Sequence, residues 1–345
     1  MILKPPNDQR VTRLIDANLD RAREGLRVVE DWCRFGLNRK DLIFKLKDWR
    51  HQLGSHHHEI YKQARSISTD EGALLDHPSQ DDRKTPNDVI SANCSRIQEA
   101  LRVLEEFSRT SDTELAKNAA KIRYEIYELE IILLKATAKN KRIQQLKNCN
   151  LCLITSTKSE FLSPISAALS EGIKMIQYRC KDINDREKIK QAKELATICK
   201  KNGALFIVND RVDLALAVKA DGVHLGQNDM PIEIARNLLG EEYLIGKSTH
   251  SLAQVKEAQK QRCDYLGIGP IFQSKTKSNM IPLGVDCLSE ISKEISLPCF
   301  AIGGINDFNT SEVISRGVKR IAVVDAIMNT KNPALATRKL LSQLP

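Results

Sequence analysis

The stretch MIQYRCKD, Met175 to Asp182, starts as a buried strand would and ends in charge. Alternate residues of a strand share a face, so Gln177, Arg179 and Lys181 project to one side. A strand end that gathers an amide and two cations predicts a ligand whose charge offsets the cost of bringing them together. The stretch belongs to a series. β-rich runs lie at LCLIT (151–155), MIQYR (175–179), LFIVN (205–209), GVHLG (222–226), YLIGKS (243–248), YLGIG (265–269), CFAIG (299–303) and IAVVD (321–325), each followed by a helix-length segment. Alternating β and α predicts a parallel sheet. Eight such units predict a C-terminal (β/α)8 TIM barrel over residues 148–345. An open doubly wound sheet is the alternative, but no G-x-G-x-x-G turn opens one.

Upstream, apolar residues recur at helical spacing in Leu14–Phe35, Leu42–Tyr61, Val89–Phe107 and Ile122–Leu146, and strand-like runs are absent. Residues 1–147 therefore read as an all-α N-terminal domain, with a long loop or insertion over 66–88. This half repeats itself. Residues 17–31 match 92–106 in the pattern A-N-x-x-R-x-x-E-[GA]-L-R-V-[VL]-E-[DE], at a constant offset of 75. A repeat means one supersecondary unit used twice to bury a shared face. Here the polar positions repeat too: Asn18, Arg21, Glu24 and Arg27 correspond to Asn93, Arg96, Glu99 and Arg102. Two readings stay open, a ladder of i,i+3 ion pairs on a solvated face and a pseudo-twofold polar cluster that binds an anion or staples the helices.

Composition limits the function classes. The 345 residues suit two domains, and 41% hydrophobic content supplies real cores. No apolar run approaches the ~18 residues of a membrane span, and MILKPPNDQR holds no signal-peptide core. Nine scattered cysteines read as reduced thiols of a cytoplasmic protein. Cys149 and Cys152 form a CxxC with no second pair, weak ground for a redox or metal site. The net charge of +9 divides as +4 over residues 1–150 and +5 over 151–345. With no basic tail and no aromatic-interleaved patch, this favours small anionic ligands over nucleic acid. Oligomeric state, self-association included, is left open.

Barrel chemistry sits at the C-terminal strand ends. Those ends supply fixed cations (Arg179, Lys181, Lys277), hydroxyls (Ser248, Ser274, Thr276) and a Gly303–Gly304 pair that frees backbone N–H groups for an anion after strand seven. Asp210 and Asp229 suit Mg2+, which takes a few carboxylates and fills its shell with waters and phosphate oxygens. Together they predict a ligand with a Mg-bound diphosphate and a second with a phosphate. No nucleophile–base pair stands out, which argues against acyl transfer. Asp210 also suits a helix cap, His224 reads as a packed strand residue, and His250 fits either role. The run His56-His57-His58 in the helical half reads as a solvated face, with metal binding as the lesser alternative.

The elements Q-x-R-x-K (177–181), FIVNDR (206–211), GVHLGQND (222–229), GKSTHS (246–251), YLGIGPIFQSKTK (265–277), AIGGI (301–305) and IAVVDAI (321–327) resemble the thiamine-phosphate synthase family. The resemblance covers about residues 150–340. It implies a transferase that joins an aminopyrimidine diphosphate to a thiazole phosphate, releasing diphosphate through a dissociative, Mg2+-dependent mechanism. It implies that Gln177, Arg179, Lys181, Asn209, Ser248 and Lys277 hold the pyrimidine diphosphate. Asp210 and Asp229 would bind Mg2+, and Ser274, Thr276, Gly304 and the Val324–Asp325 corner would meet the thiazole phosphate. Two positions depart from the family: Ser274 where Thr is common, and Asp325 where Ser is common. A carboxylate repels phosphate, so the contact at Asp325 falls to backbone N–H or water. A thiazole tautomerase-like paralogue is the competing enzyme, but it would need neither the diphosphate cations nor the carboxylates. The helical half resembles an extension found on some family members, whose stand-alone relatives are associated with phosphorylating the pyrimidine monophosphate. No P-loop or kinase signature supports this, and a non-catalytic scaffold is the other reading.

Overall fold

The computed structural model describes residues 8–65, 83–156, 161–180, 182–274 and 280–345. Its contacts divide the chain into two compact units, Met1–Ala138 and Lys139–Pro345.

The first unit is helical: α1 (Gln9–Asp31), a π-turn (Trp32–Gly36), α2 (Lys40–Ser55), α3 (Glu59–Gln63), α4 (Pro86–Phe107) and α5 (Thr113–Lys147), the last continuing into the second unit. Local chemistry sets the starts. Asp8 caps α1 by accepting from the Arg10 N–H at 2.9 Å. Thr85 and Asp88 form a reciprocal capping box on α4 with Pro86 in its first turn. Pro86–Asp88 is thus helical, at the edge of the loop expected over 66–88; the rest of that loop through 82 lies outside the described residues.

The repeat is two-fold in its bonding as well as its sequence. Asn18 and Asn93, both buried, donate to the carbonyls of Leu14 (2.9 Å) and Val89 (2.8 Å). Arg27 pairs with Glu30 and Asp31, as Arg102 does with Glu105 and Glu106. Gly25 lets α1 approach α4 closely: a Cβ there would lie 2.7 Å from Ile97 Cγ1. Of the two readings of the repeat, the ion-pair ladder does not form at Arg21–Glu24 and Arg96–Glu99. These four side chains are exposed and line a shallow cleft between α1 and α4, with no ion pair among the described residues. The histidine run is not a solvated face either. His56 and His57 side chains are only 10% and 5% exposed, because each finds a buried carboxylate, Asp112 and Asp16 respectively.

The second unit is a closed parallel barrel in strand order β1 to β8. The strands are β1 (Leu151–Ile154), β2 (Met175–Tyr178), β3 (Leu205–Asn209), β4 (Gly222–Leu225), β5 (Leu244–Thr249), β6 (Tyr265–Ile268), β7 (Cys299–Ile302) and β8 (Arg320–Val323). Helices follow each strand: α6 (Leu162–Ser170), α7 (Asp185–Lys201), α8 (Val212–Ala217), α9 (Ile232–Leu239), α10 (Leu252–Lys260), α11 (Asp286–Glu294), α12 (Thr310–Ser315), then α13 (Asp325–Met328) and α14 (Pro333–Ser342). The pleat sorts the residues into two cores. Ile176, Tyr178, Phe206, Val208, Val223, Leu266 and Val323 face the helices. Cys152, Met175, Leu205, Ile207, Leu244, Tyr265, Phe300 and Ala322 fill the barrel interior, with Leu146 and Cys149 in the same cluster. Burial pushes the Cys149 thiol up to about 12 and Cys152 higher still, so neither is a thiolate and the CxxC is interior packing. At the N-terminal ends of the strands, buried Arg236 pairs with Asp264 at 2.7 Å and donates to the carbonyls of Gly240, Tyr243 and Arg262, closing that end with a paired charge. No helix among the described residues is long and apolar enough to cross a membrane.

Candidate active site

The inward positions at the C-terminal strand ends open into a cavity of about 480 Å³. Gln177 and Arg179 from β2, Asn209 from β3, His224 from β4, Ser248 from β5, Tyr265 from β6 and Gly303–Gly304 after β7 all line it, with Ser274, Val324 and Asp325 at its rim. The alternation read in MIQYRCKD explains the first two, since Met175 lies below them in the interior core. Thr155, at the end of β1, fixes the Arg179 backbone from both sides: its hydroxyl accepts from the Arg179 N–H at 2.9 Å and donates to the Arg179 carbonyl at 3.1 Å. Lys181, Thr276 and Lys277 lie outside the described residues.

One polar array crosses the interior. Tyr265 is buried, and burial holds its phenol well above the usual range, so it stays protonated. Its hydroxyl lies 3.2 Å from His224 Nδ1, while His224 Nε2 lies 2.9 Å from Ser248 Oγ. Space for this array comes from missing side chains. A Cβ on Gly246 would stand 2.2 Å from Tyr265 Cζ and 2.5 Å from His224 Nδ1. His224 is therefore more than a packed strand residue. Ser248 and His224 also form a hydroxyl–imidazole contact that spacing in sequence did not reveal, because 24 residues and one strand crossing separate them.

The glycine pair has a steric role besides its backbone donors. Gly303 and Gly304 have φ of +101° and +64°, and Cβ atoms there would stand 2.6 Å from Pro270 and from the Gln273 carbonyl. Only glycine lets the loop after β7 lie against the loop after β6, which carries Ser274. Phe272 N donates to Gly303 O at 3.0 Å, joining the two loops. The Asp325 carboxylate accepts from Asn329 Nδ2, one turn along.

The two carboxylates, Asp210 and Asp229, are not among the cavity-lining residues. Asp210 follows β3 with φ of +64°, its N–H donating to the His224 carbonyl at 2.9 Å. Asp229 Oδ2 accepts from the Gly226 N–H at 2.6 Å. Beside it, burial lowers the Lys247 ammonium from its ordinary range, a shift that the Asp229 charge opposes, and Lys247 Nζ donates to Gly226 O at 2.8 Å. His250, Gln273, Asn306 and Asn329 also line the cavity. Of these, His250 stands out in the sequence at its strand end; Gln273, Asn306 and Asn329 lie in loops without strand periodicity and carry no signal in the sequence.

Residues 151–327 match the family model described as thiamine monophosphate synthase, and residues 13–132 match the ThiD2 family. A thiamine-phosphate synthase of Prochlorococcus marinus (strain MIT 9303) is 57% identical, the alignment covering 100% of this chain and 99% of that one. One from Synechococcus sp. (strain CC9605) is 56% identical over 98% of this chain and 96% of its own. A solved thiamine phosphate pyrophosphorylase from Pyrococcus furiosus is 38% identical with a TM-score of 0.54, covering 59% of this chain and 96% of that one. Full-length identity of this order, over a closed eight-stranded barrel, places the chain in the thiamine-phosphate synthase family of transferases, with a ThiD2-family domain ahead of the barrel.

Proposed function

We propose that the barrel mouth carries out C–N bond formation between an aminopyrimidine diphosphate and a thiazole phosphate with the following division of labour. Gln177, Arg179, Lys181, Asn209, Ser248 and Lys277 hold the diphosphate. Ser274, Thr276, the Gly303–Gly304 backbone and the Val324–Asp325 corner hold the thiazole phosphate. Asp210 and Asp229 hold Mg2+: both stand on strand-end turns on the same side of the barrel, and Asp229 keeps Oδ1 in reserve while Oδ2 braces its own turn. When bound, the ion neutralises charge on the departing diphosphate.

The chemistry then makes few demands on protein groups. The C–O bond to diphosphate breaks, the electron-rich aminopyrimidine stabilises the resulting cation, and the thiazole nitrogen donates its pair to form the C–N bond. Placing donors on the leaving group and aligning the two ligands are sufficient contributions. The observation that carries this reading is the convergence of Gln177, Arg179, Asn209 and Ser248 from three strands on one cavity that also meets the glycine pair.

The Ser248–His224 contact fits the same role. With the Tyr265 proton retained, Tyr265 donates to His224 Nδ1 and His224 Nε2–H to Ser248, leaving the serine O–H to donate outward; this proton order is assigned from the bonding pattern. Such a serine serves a phosphate oxygen and not as a nucleophile, which would need His224 as an acceptor. The test is Asp210→Ala and Lys277→Ala: each abolishes thiamine phosphate formation and leaves the circular dichroism spectrum unchanged. Near-normal turnover in either variant sinks the assignment. The helical unit is either a pyrimidine-monophosphate kinase-like module or a scaffold, and ATP-dependent phosphorylation of that monophosphate by the full chain separates the two. A protein with these substrates works in the cytoplasm, in line with its free thiols.

A further inference from the structure

Two groups in the helical unit bring His and Asp ligand atoms within 4.8 Å of one another: Asp16, Asp20 and His57, and His56, His58 and Asp112. The first is already neutralised. Arg65 bonds to Asp16 at 2.8 and 3.1 Å and also to Asp20, and Arg23 Nη1 lies 3.2 Å from His57 Nδ1. A metal ion there would have to expel a guanidinium.

The second group has no such occupant. Among the described residues, the ion-pair partner of Asp112 is His56 and no lysine or arginine. The Asp112 oxygens have separate duties: Oδ1 accepts from Leu115 N at 2.9 Å, capping α5, and Oδ2 stands 3.3 Å from His56 Nδ1. That distance is longer than the ~2.7–2.9 Å of a charge-assisted N–H···O bond. It matches the roughly 3.3 Å edge of a tetrahedron whose metal–ligand bonds are ~2.0–2.1 Å. The His58 ring stands edge-on to His56 with centroids 6.3 Å apart, bringing a second imidazole. Tyr61 packs on His58 at 5.9 Å; it is fully buried, and its hydroxyl has no hydrogen-bond partner. Asp112 is near enough that its charge adds to burial in pushing that phenol up to about 12. A buried hydroxyl left without a partner, on a ring packed against His58 and within reach of the Asp112 charge, is otherwise a cost without return.

We propose that His56, His58 and Asp112 form a zinc-type site, a transition-metal dication held by two imidazoles and one carboxylate with the Tyr61 hydroxyl or a water completing it. Imidazole and carboxylate at this spacing suit Zn2+ in particular. The site ties the turn between α2 and α3 to the start of α5. Asn118 supplies the outer support: its amide lies 3.0 Å from His56 Nε2. With metal on Nδ1, His56 donates Nε2–H to the Asn118 oxygen, the amide atoms being interchangeable in this position.

The experiment uses the full chain, stripped with a chelator and titrated with Zn2+ alone, with metal content and thermal unfolding measured in parallel. Expected are one tightly bound equivalent per chain and a raised melting temperature. His58→Gln lowers affinity by more than the ~10–100-fold cost of losing an outer-shell partner, with an unchanged circular dichroism spectrum, while His57→Gln, in the guanidinium-filled group, leaves binding intact. Nine thiols are the competing ligands, so Co2+ serves as a second probe: the proposal requires visible d–d bands without a near-ultraviolet thiolate charge-transfer band. Absence of stoichiometric binding, binding that survives His58→Gln, or a thiolate band would each overturn it.

Discussion

The helical unit and the barrel mouth use charge in opposite ways. In the helical unit most buried carboxylates have a cation in place: Glu30 with Arg50, Glu105 with Arg123, Asp16 with Arg65. Each of these carboxylates has its counter-charge without a ligand. At the barrel mouth Arg179, Asn209, Ser248 and Ser274 come from different strands and loops and line a common space. Among the described residues Arg179 makes no ion pair, although carboxylates on neighbouring turns are not far along the chain. Charge closed on itself stabilises a fold; charge left facing a cavity stabilises something that enters.

The comparison breaks first at Arg179. If its guanidinium is held for a leaving diphosphate, Arg179→Ala lowers kcat/KM by about 10²–10³-fold, the usual cost of one donor aimed at developing charge, with little change in melting temperature. Steady-state kinetics and a thermal melt on the same preparation check both halves. A stability loss with unchanged kinetics would make Arg179 structural and erase the contrast.

In the helical unit the opposite signature is expected. Glu105 accepts from Arg123 Nε at 3.1 Å and Nη2 at 2.9 Å, and the two side chains are 11% and 9% exposed. Glu105→Ala leaves a buried guanidinium without its carboxylate and costs about 3 kcal/mol, measured by denaturant unfolding. Its exposed neighbour gives the internal control: Glu106→Ala removes a rim carboxylate worth at most ~1 kcal/mol. Synthesis of thiamine phosphate by the folded fraction stays near wild type in both. Equal costs for the two variants would mean that burial does not govern these pairs.

A fourth variant tests the polar array that lies inside the barrel. Gly246→Ala places a methyl carbon against Tyr265 and His224. Overpacking of this kind costs roughly 1–3 kcal/mol, and because the ring that moves also positions Ser248, KM for the diphosphate substrate rises together with the fall in melting temperature. A stability loss without a change in KM would disconnect the array from the ligand.

Legibility in the sequence follows the same division. The barrel was readable because buried parallel strands are short apolar runs at regular spacing, and because the pleat forces Gln177 and Arg179 onto one face. The helical repeat was readable because Asn18 and Asn93 sit in identical surroundings. What was missed depends on contacts between distant segments. Whether His57 faces solvent is decided by Asp16, 41 residues away, and the chemistry of His224 by Tyr265, another 41 residues on. No periodicity encodes such meetings. The ion-pair ladder failed for a related reason. Spacing of i,i+3 permits a pair, but Arg27 and Arg102 take theirs with acids at i+3 and i+4 in the repeat, while Arg21 and Arg96 turn to the cleft between α1 and α4.

The smallest effect concerns acid. Burial would raise the Asp16 carboxyl, but the bonds from Arg65 and His57 outweigh it and hold the group below the ordinary carboxylate range. A carboxyl depressed in the folded state contributes stability that is fully present above its unfolded value of ~3.9 and is lost as pH falls through the folded value. Wild-type stability that depends on Asp16 is therefore level from neutral pH to about 5 and declines below about 4. Asp16→Asn removes the charge at every pH, so the gap between variant and wild type should be constant near neutrality and shrink on acidification. Unfolding curves at pH 7, 5, 4 and 3 measure that gap. A gap that widens with acid would mean that the asparagine relieves repulsion instead of losing an ion pair, and the network around His57 would not be the closed one that sets the helical unit apart.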